Sequence, residues 1–217
     1  MSIHKGSSLI RESGSYGVYH GSTPIKSIYK GSTLIYNFSS YTPGQVLFES
    51  ATPGTYSLNI ESQTTLYVVL VGAGGGGSSC HYALWERGRN GGQGSMISGN
   101  ISINAGSYSI TIGAAGVGQR LVDNGGSAYG TDGGSTTFLG NTAAGGKGSG
   151  AHTGWYDGGS DWGGDGGAAT VVTSGLTGSN GANYSTASKY GSYGGGGIGN
   201  ASTAGNGQNG YVLIKVA

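Results

Sequence analysis

Three groupings in this sequence have residue types and spacing that could do chemistry. Gly72, Gly74 and Gly77 follow an apolar run and satisfy G-x-G-x-x-G, the turn that lets a backbone approach a pyrophosphate. That turn must also open a helix and be followed about twenty residues later by an acid for the ribose. Here no Asp or Glu lies between Glu86 and Asp123, and Ser78-Ser79-Cys80-His81 offers at most a capped stub. Gly146-Lys147 hints at a phosphate loop, but Asn141 stands where its first glycine belongs and Gly148 where its magnesium-binding hydroxyl belongs,. Asp157, Asp161 and Asp165 are spaced four apart. Carboxylates on flexible backbone suit calcium, although the spacing fits neither the EF-hand nor the nonapeptide calcium repeat. The alternative is that each Asp caps a local turn.

The nucleophile and metal inventory is thin. Cys80 is the lone cysteine, so there is no internal disulfide,. His4, His20, His81 and His152 are scattered, and Cys80 beside His81 is not a metal-ligand spacing,. Nothing in the pattern supports a Cys80/His152 pair, and glycine loops hold catalytic groups poorly. The expectation is a protein that is not an enzyme and carries no cofactor.

The aromatic residues point elsewhere. Trp85, Trp155 and Trp162 all lie outside the predicted strands, in segments that interrupt glycine tracts. These segments contain Tyr82, Trp85 and Arg87; Trp155, Tyr156 and Trp162; and Tyr184, Tyr190 and Tyr193. Rigid amphipathic rings among Gly, Ser and Asn are the composition of recognition loops, and they suit sugars, whose apolar faces stack while their hydroxyls meet amides. The structural alternative is that the rings fold back over a core short of side chains.

What must position them is an unusual chain. Of 217 residues, 50 are glycine, only 9% are charged, and the net charge is +1. There is no G-x-y period and there are three prolines, which excludes collagen,. No apolar run approaches the ~20 residues of a membrane span, and no secretory h-region follows the start. The balanced, unclustered charges argue against nucleic acid or a membrane surface as partner. Glycine costs order wherever it is fixed, so a folded form must use it where only glycine fits.

Glycine is uneven: seven lie in residues 1–71 and 43 in 72–217. Residues 1–36 repeat a unit centred on Gly6, Gly21 and Gly31, an apolar run followed by Gly-Ser and a second apolar run, which predicts three short hairpins. They form either an attachment module or a three-stranded meander on the main domain. Val46–Phe48, the alternating Tyr56–Ile60, the doubly apolar Leu66–Val71, Thr136–Leu139, Thr170–Val172 and Tyr211–Val216 read as strands,. Met96–Ile103 and Tyr108–Ile112 read as a hairpin through Asn104-Ala105-Gly106. Only 82–87 shows a weak helical period. The tracts 72–77, 113–118, 144–150, 158–167 and 194–199 read as extended glycine rods packed side by side, bonding through bare N–H and C=O groups. Asn-Gly at 90, 124, 180, 206 and 209 and Asp-Gly at 132, 157 and 165 read as tight turns with positive φ. The expected fold class is all-β: a small antiparallel β-sandwich-like core with stacked polyglycine-II-like segments and long glycine-rich loops, preceded by N-terminal hairpins.

In that order, Gly54–Leu58 with Leu66–Gly77, Ser107–Gly116, Gly134–Phe138, Ala144–Gly148 and Gly207–Ile214 resemble the glycine-rich domain of bacteriophage tail-fibre and adhesin proteins. The resemblance covers about residues 45–217. It implies stacked glycine rods beside a β core, with variable loops at the distal end that contact host receptors. The expectation is therefore a virion protein, assembled in the host cytoplasm. Residues 1–44 would attach to other virion proteins, and 45–217 would form a glycine-rich domain that presents aromatic loops to a cell-surface receptor or glycan, as a monomeric tip or a homotrimer. A purely architectural virion part, such as a capsid decoration or a baseplate fitting, is the runner-up. Ice binding by flat glycine faces is a third class, which the irregular tracts disfavour.

Overall fold

The structure, a computed structural model, describes residues 41–82, 85–121, 127–152, 164–199 and 204–217. It gives the backbone alone for 80–82, 85–87, 121, 127, 151–152 and the short strands within 3–37. Those short strands form three hairpins: Ile3–Lys5 with Ser8–Ile10, Val18–His20 with Thr23–Ile25, and Ser27–Lys30 with Thr33–Asn37. The registers Lys5↔Ser8, His20↔Thr23 and Lys30↔Thr33 leave two residues at each turn, as the Gly-Ser repeat requires. Each hairpin is its own two-stranded sheet.

Ten strands build the main body: β1 (Val46–Ser50), β2 (Gly54–Ile60), β3 (Thr64–Val71), β4 (Met96–Ile103), β5 (Gly106–Ile112), β6 (Thr136–Phe138), β7 (Asn141–Ala143), β8 (Ala169–Thr170), β9 (Leu176–Ser179) and β10 (Tyr211–Val216). One sheet has the order β9-β4-β3-β10-β1 and the other β8-β7-β6-β5-β2, and all of their pairings are antiparallel. Leu66, Val68, Leu70, Ile97, Ile101, Val212 and Ile214 from the first meet Leu58, Ile60, Ile110, Ile112 and Phe138 from the second in one buried cluster. The alternation of β2 follows directly: Tyr56, Leu58 and Ile60 turn inward while Thr55, Ser57 and Asn59 stay exposed. β3 is the middle strand of its sheet, as a strand apolar on both faces must be.

Two local expectations change. β4 and β5 are not a hairpin: β4 pairs with β3 and β5 with β2. The chain crosses between sheets at 104–105 because Ile101 and Ile103 face Ile110 and Ile112 across the core. Of residues 82–87, Tyr82 ends the strand Ser78–Tyr82 and 85–87 open the strand Trp85–Arg89 of a hairpin rather than a helix; 83 and 84 lie outside the described residues.

Beyond one end of the sandwich the strands continue as glycine rods. Rod 72–77, which continues β3, is buried throughout. Its N–H groups donate in strict rotation: Gly72 and Gly75 to Ser95 and Gly92, Ala73 and Gly76 to Gly134 and Thr131, Gly74 and Gly77 to Gln208 and Gly205, at 2.8–3.0 Å. Its carbonyls accept from Gly146 and Ser149, from Gly116 and Gln119, and from Gly197. A three-residue rotation is the polyproline II repeat, so six rods surround the central one. It donates to the three that run against it and accepts from those that run with it. A Cβ on Gly74 would land on the Gly195 carbonyl, and one on Gly75 on the Lys147 carbonyl, which is why this rod carries almost no side chains.

The Asx-Gly dipeptides are not turns. Gly91, Gly133, Gly166, Gly181, Gly207 and Gly210 are absent from the positive-φ residues; each lies within a rod. Asn124 and Asp157 lie outside the described residues.

Candidate functional site

The Asx residues do a different job, repeated six times. Where Gly207 N–H donates to Gly116 O, the Asn206 Oδ1 before it accepts the Gly118 N–H at 2.9 Å. Asn209-Gly210 grips Gly113 O and Ala115 N–H in the same way. Asn180-Gly181 grips Gly167 O and Ala169 N–H, Asn183-Tyr184 grips Gly164 O and Gly166 N–H, Asn90-Gly91 grips Gly197 O and Gly199 N–H, and Asp132-Gly133 grips Gly146 O and Gly148 N–H. Each clamp closes a carbonyl and the N–H two residues on in an adjacent rod, and so supplies partners that the backbone alone leaves out. The signal was present in the sequence as Asx pairs three residues apart, 180 with 183 and 206 with 209, matching the rod repeat.

The bundle thus carries the chain rigidly from the sandwich to an opposite end. There rod 72–77 enters Ser78–Tyr82, which pairs antiparallel with Trp85–Arg89 and parallel with Gln119–Leu121, while Ser127–Tyr129 pairs with Gly150–His152. The hydroxyls of Ser78 and Ser149 meet at 3.1 Å where the rods end, and Ser149 Oγ donates to Arg89 O at 2.6 Å. Register sets Tyr82 opposite Trp85 and Cys80 opposite Arg87, so the two-residue alternation brings Tyr82, Trp85 and Arg87 to one face of this far hairpin. Trp155, Tyr156 and Trp162 lie outside the described residues, as do Asp157 and Asp161. The segment that bears them leaves Gly150–His152 and re-enters at rod 164–168, beside Lys147.

The remaining three tyrosines separate. Tyr190 and Tyr193 are at the sandwich, half-buried, stacked on Tyr211 with centroids 5.5 and 4.4 Å away. With Val69 and Val71 they cover the outer face of the first sheet, so the faces they turn to Tyr211 are occupied within the chain. The Tyr211 hydroxyl donates to Glu49 Oε1 at 2.7 Å; burial, then that hydrogen bond, push its pKa far above the usual phenol value,. Tyr184 lies with Asn183 in a turn at the end of the outer rod 180–182, 52% exposed, with φ +53°.

Charge is sparse on the bundle. Lys147 Nζ and Asp132 Oδ2 are 2.7 Å apart, both largely exposed. Partial burial alone would raise the Asp132 carboxyl; the hydrogen bonds from Lys147 and the Gly148 N–H outweigh it and hold the pKa below the ordinary value. Lys147 is raised, first by its hydrogen bond to Asp132 and then by that carboxylate's charge. Asp165 is exposed on rod 164–168, and among the described residues no three His, Cys, Asp or Glu side chains gather as metal ligands.

The profile of a glycine-rich domain family matches residues 50–183, from the end of β1 through β9 and six of the rods. Among curated proteins none matches the chain.

Proposed function

Because this chain belongs to the glycine-rich domain family, we propose that it is a virion component of tail-fibre or adhesin type. It uses the far end of its rod bundle to bind a cell-surface receptor or glycan, and residues 1–44 to attach to other virion proteins. One observation carries the reading. The rods leave or enter the same end of the sandwich, so the hairpin Ser78–Tyr82/Trp85–Arg89, the strand Gly150–His152 and the start of rod 164–168 stand at the bundle's opposite end. Connections carried at the tip of a rigid base are the arrangement that recognition loops need. The resemblance to phage tail-fibre proteins supplies the virion setting.

The test is binding of fluorescently labelled full chain to a panel of intact bacterial strains. The expected result is saturable binding to a subset of strains, reduced about tenfold or more by Trp155→Ala or Trp162→Ala. Saturating occupancy of purified particles with no cell binding would favour the architectural alternative, which draws on the work Tyr190 and Tyr193 do inside the fold.

A further inference from the structure

Tyr184 stands where the other five clamps carry glycine. After Asn90, Asp132, Asn180, Asn206 and Asn209 the next residue is glycine, and the reason is steric. A Cβ on Gly91 would enter the Gly75 carbonyl, one on Gly133 the Ala73 carbonyl, one on Gly181 the Gln93 carbonyl, and one on Gly207 the Gly74 carbonyl. Tyr184 keeps the clamp: its N–H donates to Gly164 O at 2.9 Å and Asn183 Oδ1 accepts the Gly166 N–H at 2.8 Å. It does so by adopting φ +53°, a left-handed conformation unfavourable for a residue with a Cβ. Leu139, at φ +52°, is the other non-glycine residue of this kind among the described residues; both lie in turns, Leu139 beside Gly140 between β6 and β7 and Tyr184 beside Asn183.

Glycine would make the same clamp hydrogen bonds without that conformational cost. Among the described residues its ring stacks on no other ring, and about half of the residue remains in solvent. Its backbone, by contrast, is pinned, because Asn90 Nδ2 donates to its carbonyl at 3.2 Å. The result is an aromatic face rigid at its root, on a stretch, 180–188, rich in Asn, Ser and Thr, with the exposed Asp165 between the gripped Gly164 and Gly166 and Lys189 Nζ held on the Asn180 carbonyl at 2.7 Å. A left-handed tyrosine at an exposed position points to function, and a fixed ring beside amide, hydroxyl and carboxylate groups matches the apolar face and hydroxyl rim of a sugar.

We propose that Tyr184 is a stacking platform for a neutral sugar ring of a cell-surface glycan. This rests on the receptor-binding reading above and adds a residue and a ligand class to it. The probe is the labelled full chain on the strains that wild type binds, either intact, periodate-oxidised or protease-treated, alongside thermal unfolding of each variant. Tyr184→Gly is expected to melt at or above the wild-type temperature, since it restores the residue of the other clamps, and to lose about tenfold in cell binding. Tyr184→Phe should keep both properties, and binding should fall on periodate-treated cells but survive protease. A Tyr184→Gly variant that melts lower, or binds as wild type does, overturns the proposal, as does binding abolished by protease alone. Failure of wild type to bind any strain overturns the receptor reading itself and this proposal with it.

Discussion

The sandwich and the rod bundle lie end to end in one chain and are held together by opposite means. In the sandwich, side chains are the structure: Leu66, Val68 and Leu70 fill the space between two sheets, and backbone pairing runs only within each sheet. In the bundle the backbone is the structure: rod 72–77 bonds in all directions through its own N–H and C=O groups, and its interior contains no room for a methyl group at Gly74 or Gly75. The same requirement, that buried backbone groups find partners, is met in two dimensions by a sheet and in three by a rod lattice. The contrast teaches that a core can be closed by leaving side chains out, provided nearly every position obeys.

The largest expected effect exploits that proviso. Adding one methyl in Gly74→Ala forces a Cβ onto the Gly195 carbonyl, and because backbone on both sides is fixed by hydrogen bonds nothing nearby can give way. The expected loss is ~4 kcal/mol or more, shown as failure to fold or a collapsed Tm. Removing three carbons in Leu70→Ala, at a fully buried sandwich position, should cost about 3 kcal/mol. If chemical denaturation ranks the two the other way, the bundle is more plastic than its geometry says and the comparison breaks.

The two regions also differed in legibility, for a physical reason. Alternation of Tyr56, Leu58 and Ile60, and the doubly apolar β3, place their strands by side-chain pattern, and the Gly-Ser repeats place three hairpins with their registers. The existence of rods followed from glycine's cost. Which rod bonds which did not, because lateral bonding between bare backbones carries no side-chain code, and rods 91–95, 130–134 and 205–208 look in sequence like loops. The Asx residues do carry such a code. They read as turns because Asn-Gly favours turns in isolation, whereas in the lattice the same carboxamide finds an N–H across the gap. Of the candidate site, register brings Tyr82, Trp85 and Arg87 together on the far hairpin. Tyr190 and Tyr193 belong to the covering of the first sheet, which no local pattern foretells, since their partner Tyr211 is in the last strand.

A middle-sized effect sharpens the account of the clamps. Asn209→Ala deprives the part-buried Ala115 N–H of its acceptor, and Asn206→Ala does the same to the more exposed Gly118 N–H. About 1 kcal/mol is expected for the first and less for the second, since water replaces a partner more readily where it can enter. Hydrogen exchange should show the amides of Ala115 and Gly118 accelerating while those of Gly74 and Gly77, on the buried rod, change little. Equal acceleration throughout would mean that the bundle opens as one unit rather than rod by rod.

The smallest effect is electrostatic and separates the clamp from the charge it carries at Asp132. There the carboxylate both accepts the Gly148 N–H at 2.8 Å and pairs with Lys147. Its folded pKa lies below the ordinary value, so the pair's contribution is present above the unfolded carboxylate pKa near ~4 and disappears as pH falls through the folded one. Lys147 is shifted upward, so on the alkaline side the contribution persists below the unfolded lysine pKa near ~10.4 and is lost as pH rises through the folded value. Both side chains are largely exposed, which limits the pair to under about 1 kcal/mol. Asp132→Asn retains an acceptor for Gly148 and gives the position the residue that the other five clamps carry. Asp132→Asn and Lys147→Ala should therefore each lose only this small increment at pH 7 and low salt, lose nothing further when combined, and converge on wild type as pH falls through the lowered carboxylate pKa. If Asp132→Asn instead matches wild type at pH 7 and low salt, Asp132 holds the rods through its shape rather than its charge, and stands with the five asparagines as a purely geometric part of the lattice.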